Sequence, residues 1–176
     1  MKHRILLIAS AILAVGVLVT SSTRVFAANS KKKVTTQQNL KYFKRIVMST
    51  PYDVHFVQGD KNVVKLVGPQ AEVASVVLRV SGETLYIERA TRRSRMFFTS
   101  SDDVDIYVTS PDLTQLEIKG SGDFEANRRV DTDQLTVSIN GSGDIDFKDV
   151  ICDKLEASIS GSGDIDFGKV ECLRAS

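Results

Sequence analysis

The chain has 176 residues, with 23 basic and 22 acidic side chains, 42% hydrophobic residues, three Pro and no Trp. This length and balance predict one globular domain with a sizeable core and exclude a disordered chain. The charge is unevenly spread, since residues 28–100 carry 13 basic and 5 acidic side chains and residues 101–176 carry 7 and 17. A basic half could attract nucleic acid. We expect solvated faces of opposite sign and no nucleic-acid partner, because the N-terminus predicts export.

Residues 1–27 have the three parts of a secretory signal peptide. Lys2, His3 and Arg4 form a basic start, residues 5–19 form an uncharged apolar run, and small residues precede Ala28. The apolar run has 15 residues, and a span through a bilayer needs about 20. We therefore expect a cleaved signal, with a membrane anchor as the alternative, and no membrane span in the mature chain. The mature chain would hold 20 basic and 22 acidic residues, a net charge of −2.

The rest of the chain is predicted to be a flexible N-terminal arm and one β-rich domain. Residues 28–39 are polar without periodicity, which is typical of a flexible arm. Residues 40–176 form the single domain, in which β-branched and aromatic segments alternate with turn residues. One short helix is predicted over residues 69–75, and residues 89–103 are predicted to be an exposed connection. The predicted strands before the repeats are Arg45–Ser49, Asp53–Gln58, Val63–Val67, Val76–Val80, Thr84–Glu88 and Val104–Val108.

Residues 113–176 contain three near-copies of one unit, and the chain ends as a fourth begins. Each copy reads as a strand, a Gly-Ser-Gly-Asp turn and a second strand. A fixed period of this size indicates stacked repeats, so the sequence predicts an all-β solenoid with coils of about 20 residues. The Gly-Ser-Gly-Asp turns begin at Gly120, Gly141 and Gly161.

The alternation within each repeat predicts an apolar interior and an outer polar wall. Successive side chains of a strand point to opposite faces, and neighbouring strands lie about 4.8 Å apart. We therefore expect Ile139 to stack on Ile159 and Phe147 on Phe167. Thr136, Ser138, Asn140 and their counterparts Glu156, Ser158 and Ser160 would then line the outer wall.

Several of these segments together resemble the head GIN domain family of auto-transporter adhesins. The resemblance covers about residues 40–176 and rests on Phe43–Val47, Tyr52–Asp60, Gly82–Ile87 and the Gly-Ser-Gly-Asp recurrence. It implies a right-handed parallel β-helix-like fold and an exported Bacteroidetes-type protein of the periplasm, outer-membrane surface or extracellular space. The chain departs from the family where Thr50-Pro51-Tyr52 replaces a Gly-Ile-Asn-like turn.

The repeated turn has a structural interpretation and a ligand-binding one. Glycine reaches the positive φ that a sharp corner needs, which predicts that the glycines are there for the backbone. Asp144 over Asp164 and Asp146 over Asp166 could instead bind Ca²⁺, but the spacing of the calcium-binding nonapeptide repeat is absent. No helix follows to hold a phosphate. The sequon at Asn140 is interpreted as part of the turn.

No residue is assigned a catalytic, metal-binding or cofactor-binding role, and no cofactor is expected. His55 is the one histidine after the signal segment and lies in a predicted strand. A Ser/His/Asp triad and a zinc site therefore lack support. Cys152 and Cys172 occupy equivalent positions of neighbouring coils. Export permits a disulfide there, and a reduced stacked pair is the alternative.

Three functions remain open at this point. The first is a non-enzymatic binding or adhesion module of the cell envelope whose outer wall contacts a glycan or another envelope protein. The second is a structural component that self-associates through an open C-terminal edge. The third is a carbohydrate-active enzyme, which would need convergent carboxylates in a groove. Since no capping residues follow the last repeat, the sequence also predicts a C-terminal truncation.

Overall fold

The computed structural model describes residues 32–90 and 104–176, which fold as one mixed β-sheet. The predicted signal peptide, residues 28–31 of the predicted arm and most of the predicted connection over 89–103 lie outside the described residues. The strands are β1 Lys33–Asn39, β2 Arg45–Ser49, β3 Val54–Gln58, β4 Val63–Pro69, β5 Val76–Ser81, β6 Thr84–Arg89, β7 Asp105–Ser110, β8 Gln115–Ile118, β9 Phe124–Ile139, β10 Ile145–Ile159, β11 Ile165–Phe167 and β12 Val170–Ala175. One helical turn, α1 (Gln70–Val73), follows β4 and confirms the predicted short helix.

The predicted right-handed parallel β-helix-like solenoid is wrong. The sheet is a curled half-barrel of 12 strands in the order β1-β4-β7-β3-β9-β8-β2-β6-β5, with β10, β11 and β12 joined beyond β9. Strand pairs β1–β4, β4–β7 and β5–β6 are antiparallel. A tight turn joins β5 to β6, and hairpin-type pairing of this kind cannot be part of a purely parallel coil. The all-β class is confirmed.

The part of the predicted arm that the structure describes is a strand. Lys33–Asn39 pairs with β4 along seven residues, from Lys33 opposite Pro69 to Asn39 opposite Val63. Its side chains are exposed apart from half-buried Val34, which packs against the core. The polar sequence of β1 therefore did not predict this edge strand, because backbone hydrogen bonds rather than apolar side chains hold the strand to the sheet.

The repeats pair in parallel and in register, as their period predicts. β9 and β10 pair from Phe124 opposite Ile145 to Ile139 opposite Ile159, and Phe147 lies opposite Phe167 on β11. The buried rings form a stack whose successive centroids lie 5.9, 5.4 and 5.6 Å apart. The stack comprises Phe56, Phe124, Phe147 and Phe167. Ile159 lies over Ile139 as predicted, yet 48% of it is exposed because the pairing of β12 with β10 ends at Leu155, before Ile159.

The three repeat turns stack on an earlier turn and form four layers with it, which we call tiers: Thr50–Asp53, Gly120–Asp123, Gly141–Asp144 and Gly161–Asp164. The predicted reason for their glycines is wrong, since among the described residues only Gly82 and Glu83 have positive φ. The glycines are needed instead because the tiers lie so close together. A Cβ on Gly143 would lie 2.2 Å from the carbonyl oxygen of Gly122, and one on Gly163 would lie 2.0 Å from that of Gly143.

The first tier explains why this chain can carry Thr50-Pro51-Tyr52 in place of the family's usual turn. Gly120 and Gly122 pack onto the carbonyl oxygens of Thr50 and Tyr52. No earlier tier lies beneath Thr50 and Tyr52 in the described chain, so both can carry side chains. The Tyr52 hydroxyl donates a hydrogen bond to buried Glu72 of α1, which also accepts one from Arg89 at 2.9 Å. Burial and the hydrogen bond to Glu72 raise the pKa of Tyr52.

Candidate functional site

Six neighbouring strands present one continuous polar face, which we call the polar wall. The wall consists of the outward side chains of β8, β2, β6 and β5 and of the ends of β9 and β10 that continue this part of the sheet, residues 136–139 and 156–159. These strands are adjacent in the order β10, β9, β8, β2, β6 and β5. Their inward neighbours form the core, so the alternation fixes which side chains face out. The first in-register row contains Arg79, Tyr86, Val47, Glu117, Ser138 and Ser158, and the second contains Ser81, Thr84, Arg45, Gln115, Thr136 and Glu156.

The polar wall is broad enough to contact an extended ligand. Six strands spaced about 4.8 Å apart span roughly 24 Å across the rows. The rows offer hydroxyl, amide, carboxylate and guanidinium groups at regular intervals. Such a face can donate and accept many hydrogen bonds without closing around a ligand.

A shallow depression of about 380 Å³ lies on the part of the wall formed by β5, β6, β2 and β8. Val47 and Thr84 are each 8% exposed and form its floor. Half-buried or exposed polar groups surround this floor. The residues that line the depression include Arg45, Ser81, Tyr86, Gln115, Glu117 and Lys119.

The β5–β6 turn is fastened to the start of β2 beside this depression. Gly82 and Glu83 have φ values of 53° and 62°, as a two-residue type I′ hairpin turn requires. The carbonyl oxygen of Glu83 accepts hydrogen bonds from the backbone N–H groups of Lys44 at 3.0 Å and Arg45 at 3.1 Å. The Arg45 guanidinium donates through Nη2 to the carbonyl oxygen of Gly82. These contacts hold Arg45 in one place before any ligand arrives.

Most charges on and around the wall are paired. Lys119 lies 3.2 Å from Glu117, Arg79 lies 3.7 Å from Glu88, and Lys154 lies 2.6 Å from Glu156. The hydrogen bond and positive charge of Lys154 lower the pKa of Glu156. These pairs leave the wall close to neutral.

Arg45 is the exception among these charges. No carboxylate lies within ion-pair distance of its guanidinium in residues 32–90 and 104–176. Its Nε is shielded from solvent and has no hydrogen-bond partner. A shielded donor without an acceptor costs about 1–3 kcal/mol. Arg45 therefore keeps both charge and hydrogen-bonding capacity that the described chain does not use.

Tyr86 is the second residue of the first row and the aromatic one. The Arg79 guanidinium carbon lies 4.0 Å from the centre of its ring, a cation–π contact. In register, Tyr86 lies between Arg79 and Val47. The ring is thus half-buried between the side chains of two neighbouring strands.

The structure places the predicted wall residues together and adds others that the sequence did not indicate. Thr136, Ser138, Glu156 and Ser158 lie on the wall as predicted. Arg45, Thr84 and Gln115 share the second row with Thr136, although Arg45 and Thr84 come before the repeats in the sequence. Only the non-sequential order β9-β8-β2-β6 reveals this, because no repeat connects β2 to β8.

The aspartates of the repeated turn have a structural role in the tiers. Asp53, Asp123 and Asp144 each accept, through their carboxylates, the backbone N–H of the aspartate in the next tier, at 3.0, 2.9 and 2.8 Å. Asp146 and Asp166 are in register and exposed. Within the described residues, no group of three or more His, Cys, Asp and Glu side chains could hold a metal ion.

His55 lies on a different outward face, away from the polar wall. Its Nδ1 lies 3.2 Å from Glu125, its Nε2 lies 3.9 Å from Asp105, and its ring stacks on Tyr107 at 5.0 Å. It is half-buried in β3, where the sequence placed it. These contacts connect three neighbouring strands through side chains.

Cys152 and Cys172 lie opposite each other in β10 and β12. Both are free thiols in the structure, with the Cys152 Sγ donating to the Cys172 Sγ at 3.2 Å. Burial, followed by the hydrogen bond to Cys172, raises the pKa of Cys152 to about 12. The stacked positions are as predicted, and the pair contacts the core rather than the wall.

A curled mixed β-sheet with a broad polar outer face is the architecture of the described residues. Residues 42–176 match the family described as "Putative auto-transporter adhesin, head GIN domain". The chain belongs to this family, which confirms the resemblance drawn from the sequence. A search of curated proteins finds no match.

Three solved structures of similar proteins share the fold. A "putative adhesin" from Bacteroides fragilis has 28% identity and a TM-score of 0.70, covering 77% of this chain and 62% of its own. A "putative lipid binding protein" from Parabacteroides distasonis has 22% identity and a TM-score of 0.70, covering 82% of this chain and 61% of its own. A "putative adhesin" from Parabacteroides merdae has 17% identity and a TM-score of 0.54, covering 82% and 78%. This chain thus spans less than two thirds of the first two proteins.

No helix in the part of the chain that the structure describes is long and apolar enough to cross a membrane.

Proposed function

We propose that this protein is an exported, non-enzymatic binding module of the bacterial cell envelope that contacts a glycan through the polar wall. The observation that carries the proposal is the wall itself, six strands wide and built of regularly spaced polar groups. Family membership supports an adhesin role in general. The N-terminal segment supports export.

The chemistry of the wall suits a glycan better than an apolar partner. Sugar hydroxyls both donate and accept hydrogen bonds, and the second row offers Thr84, Gln115 and Thr136 beside Arg45. Val47 is the one large apolar side chain in the two rows, and it is 8% exposed. Interfaces between proteins have an apolar, well-packed centre, which this face does not provide. An envelope glycoprotein could be contacted through its glycan in the same way.

A matched pair of variants tests the proposal. A glycan array is probed with the wild-type chain, with Thr136→Arg, which puts a long charged side chain on the wall, and with Thr109→Arg. Thr109 is a half-buried outward residue of β7, so its variant makes the same change on another face. We expect array signals that Thr136→Arg abolishes and Thr109→Arg retains. No signal for the wild-type chain, or equal loss in both variants, would contradict the proposal.

A second candidate function, self-association, is favoured by a separate observation. β11 and β12 pair with β10 alone in the described chain. Leu173 is 78% exposed, Ile159 48% and Val170 39%. An exposed strand edge with apolar side chains can pair with another copy.

Light scattering decides between the two functions. Salt-sensitive oligomers that Leu173→Lys disperses, together with an empty glycan array, would favour a structural envelope component.

A further inference from the structure

We propose that the depression on the polar wall is a subsite for the carboxylate of an acidic sugar, with Arg45 as the residue that binds it. This inference rests on the proposed glycan-binding function and names the class of glycan. It concerns one part of the wall, formed by β5, β6, β2 and β8.

The charge of the depression points to an anionic group. Its lining carries two cations, Arg45 and Lys119, and one carboxylate, Glu117. Lys119 and Glu117 pair with each other at 3.2 Å. The positive charge of Arg45 is therefore uncompensated by the residues around it. A neutral sugar would leave this charge without a counter-ion, whereas a carboxylate would supply one.

The guanidinium of Arg45 is suited to binding a carboxylate. A guanidinium presents paired N–H donors whose spacing matches the two oxygens of a carboxylate. One donor group, Nη2, already binds the Gly82 carbonyl and fixes the plane of the guanidinium. Nε has no acceptor among the described residues and is shielded from solvent. The guanidinium donors that the Gly82 carbonyl does not use remain for a carboxylate.

The surrounding groups are suited to the rest of a sugar ring. Thr84 and Gln115 lie beside Arg45 in the same in-register row, one on each neighbouring strand. Ser81 follows Thr84 in that row, across the β5–β6 turn. The strands of Thr84 and Gln115 lie about 4.8 Å from β2 on either side, so a hydroxyl and an amide can hydrogen-bond ring hydroxyls while the carboxylate binds Arg45. A free inorganic anion would use the cation and none of these neutral groups.

The experiment compares acidic glycans with the same glycans after methyl esterification of their carboxylates. The panel contains oligogalacturonate, hyaluronan oligosaccharides and sialyl oligosaccharides, and binding to the full chain is measured by calorimetry at two salt concentrations. Sulfated heparin oligosaccharides and vesicles containing phosphatidylglycerol are the probes for other anionic sources. The protein variants are Arg45→Gln and Arg45→Lys, with Arg128→Gln as the matched control. Arg128 is an exposed arginine of β9 outside the polar wall.

We expect at least one acidic glycan to bind and its methyl ester to bind at least tenfold more weakly. Arg45→Gln should weaken binding of the acidic glycan about 10- to 100-fold, because it removes charged hydrogen bonds. Arg45→Lys should recover part of that loss, and Arg128→Gln should change affinity less than about twofold. Far-ultraviolet circular dichroism of each variant verifies that it is folded.

Other outcomes would overturn the carboxylate subsite and leave the proposed glycan-binding function standing. One such outcome is that a glycan and its methyl ester bind with equal affinity. Another is that wild type and Arg45→Gln bind the acidic glycan with equal affinity. Either result supports a glycan-binding wall without a carboxylate subsite. Preferential binding of sulfated glycans or anionic vesicles also overturns it. If no glycan of any kind binds, the proposed function fails as well.

Discussion

Replacing Gly143 by Ala tests the close packing of the tiers. The new Cβ would lie 2.2 Å from the carbonyl oxygen of Gly122 and 2.9 Å from its carbon. An ordinary contact needs about 1 Å more, so the two tiers must separate. Two hydrogen bonds cross this gap, from the Ser142 N–H to Gly120 at 3.0 Å and from the Asp144 N–H to the Asp123 carboxylate at 2.9 Å.

The magnitude follows from what the separation disrupts. Each hydrogen bond contributes about 1 kcal/mol, and overpacking adds about 1–3 kcal/mol. We therefore expect Gly143→Ala to lower the free energy of unfolding by about 3–5 kcal/mol. For a chain of this size the melting temperature should fall by about 6–20 °C. Thermal unfolding followed by circular dichroism measures this shift, with Ser142→Ala as the control in the same tier, because Ser142 is exposed.

Gly82 provides the contrast that separates close packing from backbone strain. It has a φ of 53°, and the nearest atom to a Cβ there lies 4.0 Å away. Gly82→Ala should cost about 1 kcal/mol through its backbone conformation, and Gly82→Asn should cost less because Asn tolerates left-handed φ. At Gly143, Asn should be no better than Ala. A melting temperature for Gly143→Ala within 2 °C of Ser142→Ala would refute the packing argument.

Three further predictions concern the contributions of Tyr52, Asp144 and Cys152 to stability. Tyr52→Phe removes the hydroxyl that binds buried Glu72, and urea unfolding should show a loss of about 2 kcal/mol. Asp144→Ala leaves the backbone N–H of Asp164 without its acceptor, and urea unfolding should show a loss of about 1 kcal/mol. The reduced protein should lose stability as pH rises from about 9 to 12, because the pKa of Cys152 is raised to about 12 in the folded state. Below pH 9 this contribution is fully present, and Cys152→Val should reduce the alkaline loss, with the raised pKa of Tyr52 contributing to the remainder.

Each of these has a control and a result that would count against it. Tyr86→Phe, on the wall, should change stability by less than about 0.5 kcal/mol, and an equal loss in both tyrosine variants would remove the special role of Tyr52. Asp146→Ala is the exposed control for Asp144→Ala. If Cys152→Val and the wild type have parallel stability curves between pH 9 and 12, the buried thiol is not the group responsible.

The sequence predicted the local structure well and the global arrangement less well. The 20-residue period and the apolar alternation predicted the register of β9 on β10, down to Ile139 beside Ile159. Local patterns cannot show that β2 pairs with both β6 and β8, since those contacts connect residues far apart in sequence. The antiparallel edge formed by β1 was missed because its side chains are polar and its backbone provides the pairing.

The candidate site was predictable only in part for the same reason. Thr136, Ser138 and Ser158 lie in the repeats, where alternation alone shows that they face outward. Arg45 belongs to an ordinary strand pattern, and only the sheet order places it beside Gln115 and the Gly82 turn. The glycines were recognised as structural, but their close approach to the preceding tier depends on stacking that one turn cannot reveal.

The most direct test of the polar wall is an NMR titration of the isotope-labelled chain with the acidic glycan that binds most tightly. We predict that amide chemical shifts change on the strands of the wall, β5, β6, β2, β8, β9 and β10, with the largest changes around Arg45 and the Gly82 turn. Changes confined to β11 and β12, or to the face around His55, would contradict the assignment of the wall as the binding surface.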